Sequence, residues 1–168
     1  MLTVQEKAFA HPVDSRFLEI ARSKIVQASK RSGIPLKQSY AKEGKEVRRK
    51  AGGYAHAKQF RHMRKSFKHQ RTILGIVLRE IKRKLATAEL ECSALLQYLN
   101  TLLGRAQRIH QRQPKNKHKL YALHAPEVEC IGKGKARKPY EFGVKTSIVV
   151  THKNSLMCIS SDLIVQSA

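Results

Sequence analysis

The residues of this chain best suited to chemistry are cationic. Arg48-Arg49-Lys50, then Lys58, Arg61, Arg64, Lys65, Lys68 and Arg71, then Lys82-Arg83-Lys84, place positive charge at helical intervals. Such side chains bind phosphate, lysine as a point charge and arginine through a planar fork. Tyr40, Tyr54, Phe60 and Phe67 are interleaved with them. Rings so placed can stack on bases, but seams on helices usually point inward, so these four are expected in the core. A second basic cluster comprises Gly132-Lys133-Gly134-Lys135, Arg137 and Lys138. It lacks the Walker spacing, and no helix clearly follows it, so it does not read as a nucleotide-cradling loop. A turn whose lysines meet a polynucleotide backbone fits better.

Other chemistries find little support. His118, His124, Cys130 and His152 have neither C-x-x-C nor H-x-x-x-H spacing, so a zinc centre is not expected. No local signature of a cysteine or serine triad is present. Only Asp14 and Asp162 are aspartates. Asp14 reads as a helix cap. Glu127, Glu129 and Glu141 read as surface or ion-paired residues.

The bulk numbers agree with a polyanionic partner. The 168 residues carry 34 basic and 12 acidic side chains, a formal charge of +22. A compact chain so charged repels itself unless an anion screens it, and DNA or RNA does so with release of counterions. The hydrophobic share of 41% suffices for a modest core. Cys92, Cys130 and Cys158 are isolated, which suits reduced thiols in the cytoplasm, here associated with the nucleoid. No secretory leader or membrane-length apolar run is visible, so a membrane is not expected as a partner.

The elements that must position these residues follow from periodicity. Residues 1–13 read as a strand or extended lead-in, 14–113 as a basic helical region and 114–168 as strands. Phe17, Leu18, Ala21, Ile25, Val26 and Ala28 predict a helix from about 15 to 32, ended by Gly33 and Pro35. A basic helical segment over 36–52 is expected to close at Gly52-Gly53. From Tyr54 a long tract follows, with one seam of Phe60, Met63, Phe67, Leu74, Leu78, Ile81 and Leu85. A second seam comprises Leu95, Leu96, Leu99, Leu102, Leu103, Ala106 and Ile109. An unbroken helix from 54 to 112 would be roughly 85–90 Å long. A turn near Ala86–Glu91 is therefore expected to fold the seams into an antiparallel hairpin. Gly75 and Gly104 are candidate kinks. Beyond Leu120 the period changes to that of strands, at 121–123, 128–131, 140–151 and 156–159.

Three separated motifs also match one family in its order. They are Thr3-Val4-Gln5-Glu6-Lys7 with His11-Pro12-Val13-Asp14-Ser15, then Tyr54-Ala55-His56-Ala57-Lys58-Gln59-Phe60, then the run from Lys117 to Lys145. Over residues 3–156 the chain resembles bacterial insertion-sequence transposases of the DDE type, family five. The resemblance implies an α+β protein with a helical arm preceding an incomplete antiparallel, ribonuclease-H-like sheet. It also implies relatives that cut and join DNA at inverted repeats through Mg²⁺ ions held by three carboxylates. In the family a catalytic aspartate stands two residues before the Thr-Val-Gln, where Met1 stands here. The second belongs to an Asn-Pro-Tyr-Asp-Gly motif that the run from Cys158 to Ala168 does not contain, and the catalytic glutamate lies further on. The expectation is a catalytically inactive fragment that binds no metal cofactor. Its expected partners are transposon-end or non-specific DNA and full-length transposase subunits. A basic RNA-binding or ribosome-associated protein is the alternative from a different class.

Incubated with a transposon-end duplex and Mg²⁺ or Mn²⁺, the chain is expected to leave the DNA uncut on a denaturing gel. Metal-dependent nicking that disappears in Asp162→Ala would instead make Asp162 a metal ligand.

Overall fold

The computed structural model describes residues 2–6, 14–87, 94–113, 116, 119–132, 139–150 and 157–160. The architecture is α+β and mostly helical. The chain divides into two compact units, Pro12–Lys119 and a discontinuous unit of Met1–His11 with Leu120–Ala168.

The helical unit holds α1 (Asp14–Arg31), α2 (Ala41–His56), α3 (Phe60–Thr87) and α4 (Ala94–His110). α1 is central and packs on the other three. Its Phe17, Leu18, Ala21, Ile25 and Ala28 recur at three- and four-residue steps and are buried. They meet Ile73, Leu74, Val77, Leu78 and Ile81 of α3 and Leu99, Leu102, Leu103, Ala106 and Ile109 of α4, all buried. The two expected seams therefore converge largely on α1, and α3 touches α4 less than it touches α1. Burial in α3 begins only at Gln70. The residues expected to extend its seam toward the N-terminus, Phe60, Met63 and Phe67, are exposed or half-buried.

The closest helix hairpin in this unit lies elsewhere than expected. α2 runs through Gly52-Gly53 to His56, and α3 starts at Phe60. Ala57–Gln59 form the turn between them. Glu43 reaches His69 at 2.7 Å, and the Tyr54 and His62 rings lie 5.3 Å apart, so the two helices run antiparallel. Glycine weakens a helix by about 1 kcal/mol but does not end one when packing and a cap lie beyond it. The cap here is a pair of backbone bonds, Gln59 N–H to the Tyr54 carbonyl (2.8 Å) and Lys58 N–H to that of Ala55 (3.2 Å). α1 ends in the same way, through Ile34 N–H to Ser29 (3.0 Å) and Gly33 N–H to Lys30 (3.3 Å). Both turns need a left-handed residue at the pivot. Gly33 supplies it with φ 72°, but α2 uses Lys58 with φ 55°. The turn expected near Ala86–Glu91 lies where α3 ends at Thr87, and residues 88–93 lie outside the described residues.

Neither candidate kink interrupts its helix. A Cβ on Gly104 would meet nothing within 4 Å. At Gly75 it would lie 2.8 Å from His110 Nε2, so the absent side chain makes room for the α4 imidazole. Gly44 is tighter. A Cβ there would lie 2.3 Å from Glu19 Oε2 and 2.7 Å from Arg22 Nε. α2 thus crosses α1 directly above a buried ion pair.

The second unit is an antiparallel sheet. β3 (Tyr140–Val150) is its spine. β1 (Leu2–Glu6) lies along one side, while β2 (Glu129–Gly132) and β4 (Met157–Ser160) share the other. Gly143 is paired with both Glu6 and Glu129, and Ser147 with both Leu2 and Ser160. The lead-in thus joins strands that follow it by more than a hundred residues, and the helical unit is inserted between them. Residues 121–123, expected as a strand, are irregular. Ala122, Ala125 and Val128 instead form a small core with Tyr121 and Phe142. The residues between the strands expected at 140–151 and 156–159 lie outside the described residues.

Lys58→Gly is expected to stabilise the helical unit by about 1 kcal/mol, because a residue with a Cβ is disfavoured at positive φ. Urea unfolding followed by far-ultraviolet circular dichroism measures it.

Candidate nucleic-acid interface

The α2–α3 hairpin concentrates the charge. Residues 41–69 contain ten lysines and arginines and two glutamates. Arg48, Arg49, Lys50, Lys58, Arg61, Arg64, Lys65 and Lys68 are all exposed on it. Arg61, Arg64, Lys65 and Lys68 follow i, i+3, i+4, i+7 spacing and therefore share one side of α3. Like charges four apart, such as Arg61 with Lys65 and Arg64 with Lys68, oppose helix formation, and a phosphate between them relieves that cost. The local fold allows this density because only Gly44 and Ala51 of α2 are buried. The hairpin's outer part thus has no core to desolvate its cations.

Both glutamates are already engaged. Glu43 pairs with His69 at 2.7 Å, and Glu46 with Lys50 at 2.7 Å. The Lys50 ammonium, by hydrogen bond and charge, holds the Glu46 carboxyl below its ordinary range, and Glu46 raises Lys50 in return. Exposed pairs of this kind contribute little, so Lys50 can exchange its carboxylate for a phosphate at small cost. Arg48, Arg49, Lys58, Arg61, Arg64, Lys65 and Lys68 have no ion-pair partner among the described residues.

Arg71 does not belong to this surface. It is half-buried, and its Nη2 donates to the Arg112 carbonyl at 2.7 Å. Arg112 in turn reaches Asp14 at 3.2 Å. Arg71 and Asp14 thus help tie α3 and α1 to the segment after α4. Asp14 lies in the first turn of α1, where an acidic side chain suits the helix dipole. Lys133, Lys135, Arg137 and Lys138 lie outside the described residues.

Of the four aromatic side chains expected in the core, Phe60 departs outright and none is fully buried. Phe60 is 52% exposed, and Tyr40, Tyr54 and Phe67 are half-buried. The helical period is present, but the core ends at Gln70, one turn short of Phe67. Lys42 and Lys45 are exposed on the same hairpin and were not singled out from the sequence. Their three-residue spacing ahead of Arg48 and Arg49 was the available signal.

Among the described residues no three His, Cys, Asp or Glu side chains come together as metal ligands. His118 and His152 lie outside them, His124 is exposed, and Cys130 is a free, half-buried thiol. No helix among them is long and apolar enough to cross a membrane.

No family model and no solved structure matches the chain. A stretch of 58 residues is 48% identical to an uncharacterized protein, ORF8 in the nfe locus of Rhizobium meliloti. It covers 34% of this chain and 28% of that protein, so the match spans under a third of the relative's length.

Replacing Arg61, Arg64, Lys65 and Lys68 together by alanine is expected to flatten the log–log salt dependence of duplex binding by about 3.6 units, near 0.9 per lost phosphate contact. Fluorescence anisotropy between 50 and 200 mM salt, roughly the range where such contacts dominate, measures the slope. An unchanged slope would make these side chains merely solvated charge.

Proposed function

We propose that the chain is a DNA-binding protein of transposase ancestry whose α2–α3 hairpin engages the phosphate backbone. The observation that supports this best is the hairpin itself. Its cations are exposed on two packed helices, its glutamates are internally paired, and Phe60 stands exposed among them. Contacts of this type position a protein on DNA and tolerate any sequence. In this reading the sheet is part of a ribonuclease-H-like sheet, with the helical unit inserted after its first strand. Full-length transposase subunits are a second class of partner, through mixed assembly.

The described residues do not fit the two Mg²⁺ ions that the transposase resemblance implies. Such ions need hard oxygen ligands that converge. Asp14 faces Arg112, and no cluster of three candidate ligands forms among the described residues. No cleavage or strand-transfer step is therefore assigned to them, and the proposed activity is binding.

The rival reading is an RNA-binding protein, which the charge supports equally. Competition among three equal-length probes separates the two: the inverted repeats flanking the coding region, an unrelated duplex, and a structured RNA. Duplex DNA is expected to compete at least tenfold better than the RNA at 150 mM salt, roughly a physiological ionic strength. A tighter RNA complex at every salt concentration would replace this reading with the RNA-binding one.

A further inference from the structure

A groove lies outside the charged surface formed by Arg61, Arg64, Lys65 and Lys68. It has a volume of about 580 Å³, within the roughly 300–1,000 Å³ of small-ligand sites. One wall is the segment joining α1 to α2, with Lys37, Gln38 and Tyr40. The other is α3, with Ile76, Arg79 and Arg83 beside Glu80. Arg79 and Arg83 are exposed one helical turn apart, and neither has an ion-pair partner among the described residues. The only carboxylate in the lining is committed to the fold. Glu80 Oε1 accepts the Lys37 backbone N–H at 2.8 Å and the Lys84 ammonium at 3.2 Å. That backbone bond, with Lys84, holds its carboxyl below the ordinary range against the opposing effect of burial. Lys37, Arg79 and Arg83 therefore leave a surplus of positive charge.

The groove is preformed. Glu80 pins its outer wall to α3 at Lys37. Arg22 pins the same wall to α1, with Nη1 donating to the Ser39 carbonyl at 2.6 Å. Between these fixed points and α2, Tyr40 adopts φ 53°, a left-handed conformation that a residue with a Cβ rarely takes. Such strain persists where the surroundings over-determine it, and here it holds a half-buried aromatic ring against the groove.

We infer that this groove binds an unpaired nucleotide of single-stranded DNA, its base against Tyr40 and Ile76 and its phosphates on Arg79 and Arg83. A ring with a nearby guanidinium pair is the combination that single strands use, since every base has a π-face and each linkage a charge. Duplex DNA keeps its bases stacked and cannot offer one to Tyr40. This inference rests on the DNA-binding reading and gives it a strand preference.

The test compares a short oligodeoxythymidylate with a duplex, both labelled, using the full chain. Tyr40→Gly removes the ring at a position where glycine is conformationally favoured, so the fold is kept, as thermal unfolding checks. It is expected to weaken single-strand binding about tenfold, the scale of one lost stacking contact, with under twofold change for the duplex. Arg79→Gln with Arg83→Gln is expected to flatten the single-strand salt slope by about 1.4 units, near 0.7 per phosphate. Equal weakening of both probes, or no change for the single strand, overturns the groove assignment and leaves the hairpin reading intact. Failure of the unmodified chain to bind duplex would overturn the hairpin reading instead.

Discussion

The helical unit depends on one buried ion pair. Arg22 forks onto Glu19 through Nε at 2.9 Å and Nη2 at 2.6 Å, and its third nitrogen holds the Ser39 carbonyl. Both side chains are buried, at 4% and 6% exposure. A charge removed from water in this way is tolerable only with its geometry complete, and losing one partner costs about 3–5 kcal/mol. The pair also dictates its neighbours. α2 can cross above it only with glycine at position 44, and the chain between α1 and α2 must pass where Ser39 meets the guanidinium. That path sets Tyr40 in its left-handed conformation and leads into α2.

Only the C-terminal half of α3 carries core residues, while exposed cations run along the whole helix. Its C-terminal half supplies Ile73, Leu74, Val77, Leu78 and Ile81 to the core and keeps Arg79, Lys82 and Arg83 on its exposed side, whereas in its N-terminal half the cations Arg61, Arg64, Lys65 and Lys68 have no buried residue beneath them before Gln70. The division has an electrostatic reason. Ten basic residues near an apolar interior would each lose hydration without carboxylates to replace it. Extending the cations on a hairpin with little core keeps them in water. Apart from Lys50, which Glu46 engages, it also leaves them with no ion-pair partner among the described residues to outcompete a phosphate.

The sheet is closed by a strand that precedes the whole helical unit. Pairing Leu2–Glu6 with Gly143–Ser147 brings together residues far apart in the chain. Such long-range pairing is entropically costly and forms slowly unless the intervening helices have already folded into their own unit. The local packing of α1 with α2, α3 and α4 provides that unit.

The sequence by itself determined the α+β class, the span of α1, the apolar faces of α3 and α4, and the concentration of positive charge. These follow from local quantities: periodicity at Phe17 to Ala28, the glycine stop at Gly33, the basic spacing at Arg61 to Lys68. Tertiary structure alone decided where the hairpin turns, since Lys58 rather than Gly52-Gly53 took the left-handed pivot. It decided that Arg71 serves Arg112 rather than solvent, and that the seam of α3 stops being a core seam before Phe67. It also built the groove, whose two walls come from segments about forty residues apart in sequence. A helical period states that one side of a helix is apolar, but not how far along that helix a neighbour extends to bury it. That extent is fixed by how far α1 and α4 pack along α3, and no spacing within α3 encodes it.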